Sequence, residues 1–399
     1  MGYNFAEKNK MLDLERYIAV IGLGYVGWPL FTLISSKYKS WGLDANTDKV
    51  ESILFEQPQY KNVTSSWNDI SKCNTFIVAV PTPINHKQNP DTSSLENVCK
   101  ELANIIKKGD IVIFESTVFP GATEEICVPL IENGSGLVMN KDFYVGYSPE
   151  RINVADSAHK LGNTAKIVSG SNEEALHYIA NLYESIIDAP VVKASSIKVA
   201  EAAKMYENIQ RDILIALANE YSDYCNKEGI DIFEVTKCAS TKWNFSNVLP
   251  GLVGGHCIGV DPYYLLHRAE KLGIKTPLIQ CGRLINETKA STVVSKITEY
   301  ISVHLDENPK VLLLGFAYKS NTDDIRNTKV AEVYNRLKSQ YSVVECYDPF
   351  VNSEVVIKEY GINLFTTMPD ISHYDLVIRM VNHDAFMNIE NVLDIKQFL

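Results

Sequence analysis

The segment Gly254-Gly255-His256-Cys257-Ile258-Gly259-Val260-Asp261 places a thiol beside glycines, an imidazole and a carboxylate. Glycines let the backbone take positive φ or come close to a ligand, and Pro250 and Gly251 upstream predict a loop that runs into a helix or a pocket wall. If a helix opens there, Asp261 shares a face with Cys257, near enough to exchange protons with a water or a thiol adduct. Such a pattern suits a nucleophile with an acid–base group alongside. The same residues also fit a tight turn around an inert buried cysteine, a common place for a free thiol.

These groups need rigid elements to hold them. From Ile197 to about Cys225 the chain is alanine-rich, free of Gly and Pro, and apolar at three- and four-residue spacing, which predicts a long spine helix and subunit contact. Lys204 and Asn208 lie four residues apart on one face of it, either as functional polar groups or as a solvated lysine and a surface asparagine.

Upstream, the run Tyr17-Ile18-Ala19-Val20-Ile21 leads into Gly22-x-Gly24-x-x-Gly27, with Tyr25 and Val26 between the glycines and a helical pattern after them. In a strand–turn–helix context, this is a dinucleotide fingerprint. Gly22 makes the turn, Gly24 admits a pyrophosphate, Gly27 permits close packing, and the helix N-terminus faces the phosphates. A second strand ends in Asp44, about 20 residues past the glycines, where a ribose-binding carboxylate is expected. A 2′-phosphate would meet that negative charge, so NAD is favoured over NADP, with Lys49 as the nearby cation that leaves the choice open.

Apolar runs at 75–80 and 110–115 read as strands buried on both faces, which places Pro81, Thr82 and Thr117 just beyond their carboxyl ends. Each threonine serves either the cofactor cleft or a helix N-cap. A further short strand over Phe143–Tyr147 ends at Glu150, a candidate base, with Arg151 next to it. Past position 305 the strand pattern returns at 309–315, 343–348, 376–381 and 391–395, with a helix expected to open at Asp323–Thr328. The loop at Gly315 lacks GxGxxG, so a different nucleotide moiety is expected there.

Composition sets the outer bounds. A chain of 399 residues allows two or three domains, and 46% hydrophobic with 22% charged residues describes an ordinary globular protein. A net charge of -11 argues against a nucleic-acid-coating surface. The eight cysteines carry no CxxC spacing, so neither a disulfide framework nor a metal site is expected. The polar start lacks a signal-peptide core, Ala6 stands where a myristoylation signal needs Ser or Thr, and no apolar run approaches a membrane span, which makes the cytoplasm the expected location.

The ordered set GLGYVG, VAVPTP, ESTVFPGAT, SPERIN, KMYEN, GGHCIGVDPYYL and LLGFAYKSNTDDIRN resembles the nucleotide-sugar 6-dehydrogenases, from about Arg16 to the end of the chain. The resemblance implies an α/β protein with two Rossmann-like, doubly wound parallel-sheet domains joined by a helical central domain that dimerises. The domains would be an NAD-binding 1–195, a central 196–302 and a UDP-sugar-binding 303–399. It implies that Cys257 captures a C6 aldehyde as a thiohemiacetal and carries the thioester that follows. Lys204 would stabilise the oxyanion with support from Asn208. Asp261 and Thr117 would orient water, and Glu150 would handle protons at the thioester. Lys319 and Arg326 match basic residues near substrate and cofactor. The resemblance also implies that Gly254, Arg151 and His256 would be substrate contacts, although His256 would serve equally well as loop filler.

His256 and the absence of a Cys-x-Pro-Lys-Asp pattern resemble the branch that oxidises UDP-N-acetylhexosamines rather than UDP-glucose, with UDP-N-acetylglucosamine or UDP-N-acetylgalactosamine foremost and products used in bacterial surface polysaccharides. UDP-N-acetylmannosamine, UDP-glucose and GDP-mannose remain alternatives. A single-step hydroxy-acid dehydrogenase would need no Cys257, and a non-catalytic nucleotide sensor would have no reason to keep Cys257 together with Lys204.

Overall fold

The computed structural model describes residues 15–85, 87–151 and 161–399. The readings of the amino-terminal start and of the last two residues of SPERIN lie outside them. The chain divides into two compact units, one running through Tyr206 and including Tyr263–Arg268, the other formed by Glu207–Pro262 and Ala269–Leu399.

In the first unit, short apolar runs buried on both faces (Tyr17–Ile21, Thr75–Val78 and Ile111–Phe114) form the middle of a sheet that has eight strands. The strands are β1 (Tyr17–Ile21), β2 (Lys39–Leu43), β3 (Val63–Thr64), β4 (Thr75–Val78), β5 (Ile111–Phe114), β6 (Tyr144–Tyr147), β7 (Lys166–Gly170) and β8 (Val191–Lys193). Their spatial order is β3-β2-β1-β4-β5-β6-β7-β8. Between them run α1 (Gly27–Ser35), α2 (Thr47–Glu56), α3 (Trp67–Ile70), α4 (Ser93–Ile105), α5 (Val128–Ser135) and α6 (Glu173–Ile186). One face of the sheet buries Ile18 and Val20 with Leu30, Phe31 and Ile34 of α1 and Ile179, Leu182 and Tyr183 of α6. The order reverses between β1 and β4, the switch point beyond which a doubly wound sheet binds its ligand. One pairing departs from the expected parallel sheet: β7 runs antiparallel to β6, with Gly146 opposite Gly170. At Gly146 a Cβ would stand 2.6 Å from the Ser169 carbonyl oxygen, so this pairing needs the bare backbone.

The spine helix is α7 (Ile197–Glu228), followed by α8 (Ile232–Ala239), α9 (Asp261–Lys271) and α10 (Pro277–His304). In the second unit a buried polar seam joins α7 to α10. Asn286 donates to the Asp212 carbonyl at 2.9 Å and to its carboxylate at 2.8 Å, Asn219 donates to Asn286 at 2.9 Å, and Arg283 pairs with Asp212. A buried charge survives there because it is both paired and hydrogen-bonded. The second sheet contains β9 (Val311–Leu314), β10 (Val344–Tyr347), β11 (Leu376–Arg379) and β12 (Leu393–Asp394), all parallel in the order β10-β9-β11-β12, with α11 (Lys329–Lys338) and α12 (Ser353–Tyr360) between them. Val293, Ile297 and Ile301 of α10 share its core with Val311 and Leu313.

Two expectations for this region need correction. No helix opens at Asp323–Thr328: α11 begins at Lys329, and Thr328 caps it by accepting from the Val330 N–H at 3.2 Å. Asn327 has φ +51°, a left-handed conformation that a helix start excludes. The last strand is two residues long, narrower than the expected 391–395. Among the described residues, no helix is long and apolar enough to cross a membrane.

Candidate active site

The first unit carries a dinucleotide cradle at the carboxyl ends of β1, β4 and β5. Gly22 turns with φ +90°, and its N–H donates to the Leu43 carbonyl at 2.7 Å. A Cβ on Gly27 would lie 1.7 Å from the Gly22 carbonyl oxygen, whereas one on Gly24 would meet nothing within 4 Å. Thus Gly27 is required for packing, and the open face at Gly24 is the space that a bound pyrophosphate would fill. Tyr25, which is exposed, and Val26 complete the turn into α1.

Asp44 follows β2, and its Oδ2 accepts from the Leu23 N–H at 2.9 Å and from Lys49 Nζ at 2.8 Å. Burial opposes charge on Asp44, but hydrogen bonds from Lys49, Asn46 and Leu23 outweigh it and hold the carboxyl below the usual carboxylate range. Lys49 is therefore engaged by Asp44. Thr82 and Thr117 are not helix caps. Thr82 Oγ1 donates to the Thr117 carbonyl at 2.7 Å, and the Tyr264 hydroxyl donates to the Thr82 carbonyl at 2.7 Å, with exposed Pro81 just before. These residues fit NAD, which would lie over Gly24 with its ribose toward Asp44.

Two buried clusters in this unit escaped the sequence reading. Glu150 accepts from the Arg151 N–H at 2.6 Å and pairs at 3.2 Å with Lys166, which also pairs with Glu115 at 2.7 Å. Burial alone would lower the Lys166 pKa, but the two carboxylates overcome it and keep the ammonium charged. Burial raises Glu115, which also accepts from the Tyr183 hydroxyl. Glu150 thus rests on a buried cation rather than standing alone as a base. Second, Glu201 on α7 accepts from the Gly121 N–H at 2.5 Å and the Thr123 N–H at 3.0 Å, tying the loop after Thr117 to the helical turn before Lys204. Burial pushes Glu201 up to about 7. Lys204 is only 6% exposed, and no hydrogen bond or ion pair holds its ammonium among the described residues. The solvated reading of Lys204 is excluded.

In the second unit the cysteine loop is pinned at three points. Asn219 of α7 brackets Gly251, donating to its carbonyl at 3.0 Å and accepting from its N–H at 2.9 Å. The Gly255 N–H donates to the Arg326 carbonyl at 2.9 Å, and Asn327 donates back to the Gly255 carbonyl at 3.0 Å. Gly255 has φ +76°, and a Cβ on Gly254 would lie 2.7 Å from the Tyr318 Cβ, so the paired glycines are what let this loop lie against Tyr318. Finally, the Asp261 N–H donates to the Cys257 carbonyl at 2.8 Å, and Asn208 donates to Asp261 Oδ2 at 2.5 Å.

Cys257 therefore sits one turn before α9. Its thiol is half-buried rather than sealed in a core, and Sγ lies 3.8 Å from His256 Nδ1. A partly exposed sulfur with an adjacent imidazole is the arrangement of a reactive thiol. Arg326 engages Asp324 within its own loop, where its Nε donates at 2.8 Å, and Lys319 follows Tyr318 in the same loop. Among the described residues, no group of three or more His, Cys, Asp or Glu side chains is placed to hold a metal.

A doubly wound sheet with this cradle defines a dinucleotide-binding protein. Residues 16–187 match the NAD binding domain of the UDP-glucose/GDP-mannose dehydrogenase family, 198–288 its central domain and 312–399 its UDP binding domain. The chain belongs to that family, and its substrate is a small-molecule nucleotide sugar. It is 44% identical to a UDP-N-acetyl-D-glucosamine 6-dehydrogenase of Pseudomonas aeruginosa, over 96% of this chain and 94% of that one. A protein of the same name from Salmonella typhi is 42% identical over 93% and 91%. Among solved structures, UDP-D-ManNAc dehydrogenase from Pyrococcus horikoshii superposes with a TM-score of 0.84 at 29% identity, covering 94% of this chain and 91% of that one.

Proposed function

We propose that this protein oxidises the C6 hydroxyl of a UDP-N-acetylhexosamine, UDP-N-acetylglucosamine foremost, to the uronic acid in two steps on one thiol. The observation that carries the reading is the half-buried Cys257 with His256 at 3.8 Å and Asp261 one turn away, bonded to Asn208. The choice of sugar is supported by the two relatives above that bear that name at 42–44% identity.

NAD, when bound, supplies the hydride acceptor for both oxidations. Cys257 adds as thiolate to the C6 aldehyde, forming a carbon–sulfur bond and an oxyanion opposite a lysine ammonium. Lys204 is that ammonium, and a buried lysine with no carboxylate partner among the described residues suits the task. Once the adduct has become a thioester, Asp261 and Thr117 orient water on its carbonyl. Glu150 takes up the proton, the carbon–sulfur bond breaks, and Cys257 leaves as thiolate. Asn208 fixes the direction of the Asp261 carboxylate. Gly254, Arg151, His256 and Lys319 contact the sugar nucleotide, and Arg326 binds the cofactor. In balance, one alcohol, one water and two NAD give one carboxylate, two NADH and three protons.

The test is Cys257→Ser. Steady turnover should fall to background while NAD binding, read by quenching of tryptophan fluorescence, is kept. Full turnover in that variant would refute the role.

The assembly proposed is a homodimer built on α7 in the cytoplasm. Support comes from Tyr206, Leu217, Tyr221 and Tyr224, all exposed on that helix. Light scattering should give twice the chain mass, and Leu217→Asp should reduce it to one.

A further inference from the structure

Asp348 occupies in the second sheet the place that Asp44 occupies in the first. Gly22 and Gly315 turn with φ +90° and +95°, and their N–H groups donate to the last carbonyls of the neighbouring strands, at Leu43 and Tyr347. The next N–H along, Leu23 or Phe316, donates to the acid at 2.9 or 2.7 Å. The two acids then differ in environment. The Asp44 side chain keeps 14% exposure, whereas that of Asp348 has none, because His383 covers it with Nε2 at 3.0 Å from Oδ2.

His383 is fully buried, and the Asn321 N–H donates to its Nδ1 at 2.9 Å. A backbone N–H only donates, so Nδ1 accepts and the ring proton is on Nε2, donated to Asp348. Phe350 and Phe386 flank the ring at 5.0 and 5.4 Å. Asp348 also accepts from the Ala317 N–H at 3.0 Å, and Asn321, at φ +56°, accepts from the Asp384 N–H at 3.0 Å. The His–Asp pair therefore grips one loop at both ends, residues 316–317 through Asp348 and residue 321 through His383. Between the grips lie Tyr318, which backs Gly254 and Gly255, and Lys319.

We propose that His383 is a positioning residue for the nucleotide sugar: it locks the 316–321 loop so that Lys319 meets the anionic substrate, and it closes the acid that would otherwise accept a ribose. The proposal rests on reading Lys319 as a substrate contact.

Steady-state kinetics with UDP-N-acetylglucosamine and NAD test it. His383→Leu, which keeps bulk but neither bond, should raise KM for the sugar roughly tenfold, the order expected for a lost hydrogen bond, with KM for NAD within about twofold of the parent. His383→Gln, which restores one donor and one acceptor, should recover most of the loss. If His383→Leu does not fold, as judged by loss of a cooperative thermal transition, Asn321→Gly keeps the positive φ and removes the bond to Asp384, and it should raise the sugar KM alone. An unchanged sugar KM, or an equal rise in both KM values without recovery by Gln, overturns the proposal. Lys319→Ala separates the two claims: if it leaves the sugar KM unchanged, the reading of Lys319 fails; if it raises the KM while His383→Leu does not, only the positioning role fails.

Discussion

An aldehyde is a poor hydride donor until a nucleophile adds to it, so a four-electron oxidation needs an atom that adds, holds and leaves. Sulfur does all three near neutral pH. At Cys257 the local geometry was legible in the sequence, because the four-residue step to Asp261 is a hydrogen-bonded turn in the fold. The bond from Asn208 to Asp261 was not, since the two residues stand 53 apart in the chain and only the fold joins them. Two expected outcomes belong to this scale. Lys204→Ala should lower kcat by about 10²- to 10³-fold, the usual cost of losing one oxyanion-stabilising group, with NAD affinity unchanged by fluorescence titration. Asp44→Ala should raise KM for NAD by about tenfold or more and narrow the preference over NADP, because it removes the carboxylate that reads the ribose.

Short loops tied to helices carry most of the candidate site. The GxGxxG segment could be read in advance because its neighbours, a β-branched strand and an apolar helix, admit one geometry. Gly27→Ala should abolish NAD binding, since a Cβ would stand 1.7 Å from the Gly22 carbonyl oxygen and neither backbone can yield. Glu201 was invisible in the sequence, because a glutamate inside a helix is ordinary until the loop that it caps is known. It has a pH signature. Its carboxyl titrates at about 7 when folded, against an ordinary 4.5, chiefly through burial. Between those values the folded chain binds the extra proton, so this group's contribution to stability falls as pH rises through the window, by at most about 1.4 kcal/mol for each pH unit crossed. Glu201→Gln should therefore flatten the slope of Tm against pH between about 5 and 7 relative to the parent protein. A parallel slope would show that the carboxyl does not titrate there.

On the scale of the whole molecule, two sheets repeat one plan of strand, glycine turn and acid. The sequence shows that plan twice, as GLGYVG with Asp44 and as LLGFAY with Asp348. It does not show that His383 seals the second acid, because that contact spans 35 residues and depends on burial. The antiparallel β7 was equally hidden: strand direction leaves no trace in a run as apolar as Ile167-Val168. The subunit contact expected of α7 came from the length and pattern of that helix, whereas the exposed Tyr206, Leu217, Tyr221 and Tyr224 that support the proposed dimer emerge only from the fold.

The central claim is that one thiol carries two successive oxidations of one sugar. With limiting UDP-N-acetylglucosamine and excess NAD, the protein should form two NADH per sugar consumed, followed by the absorbance of the reduced nicotinamide. A ratio of one would contradict the account, because the aldehyde would then be leaving and Cys257 would not be holding it.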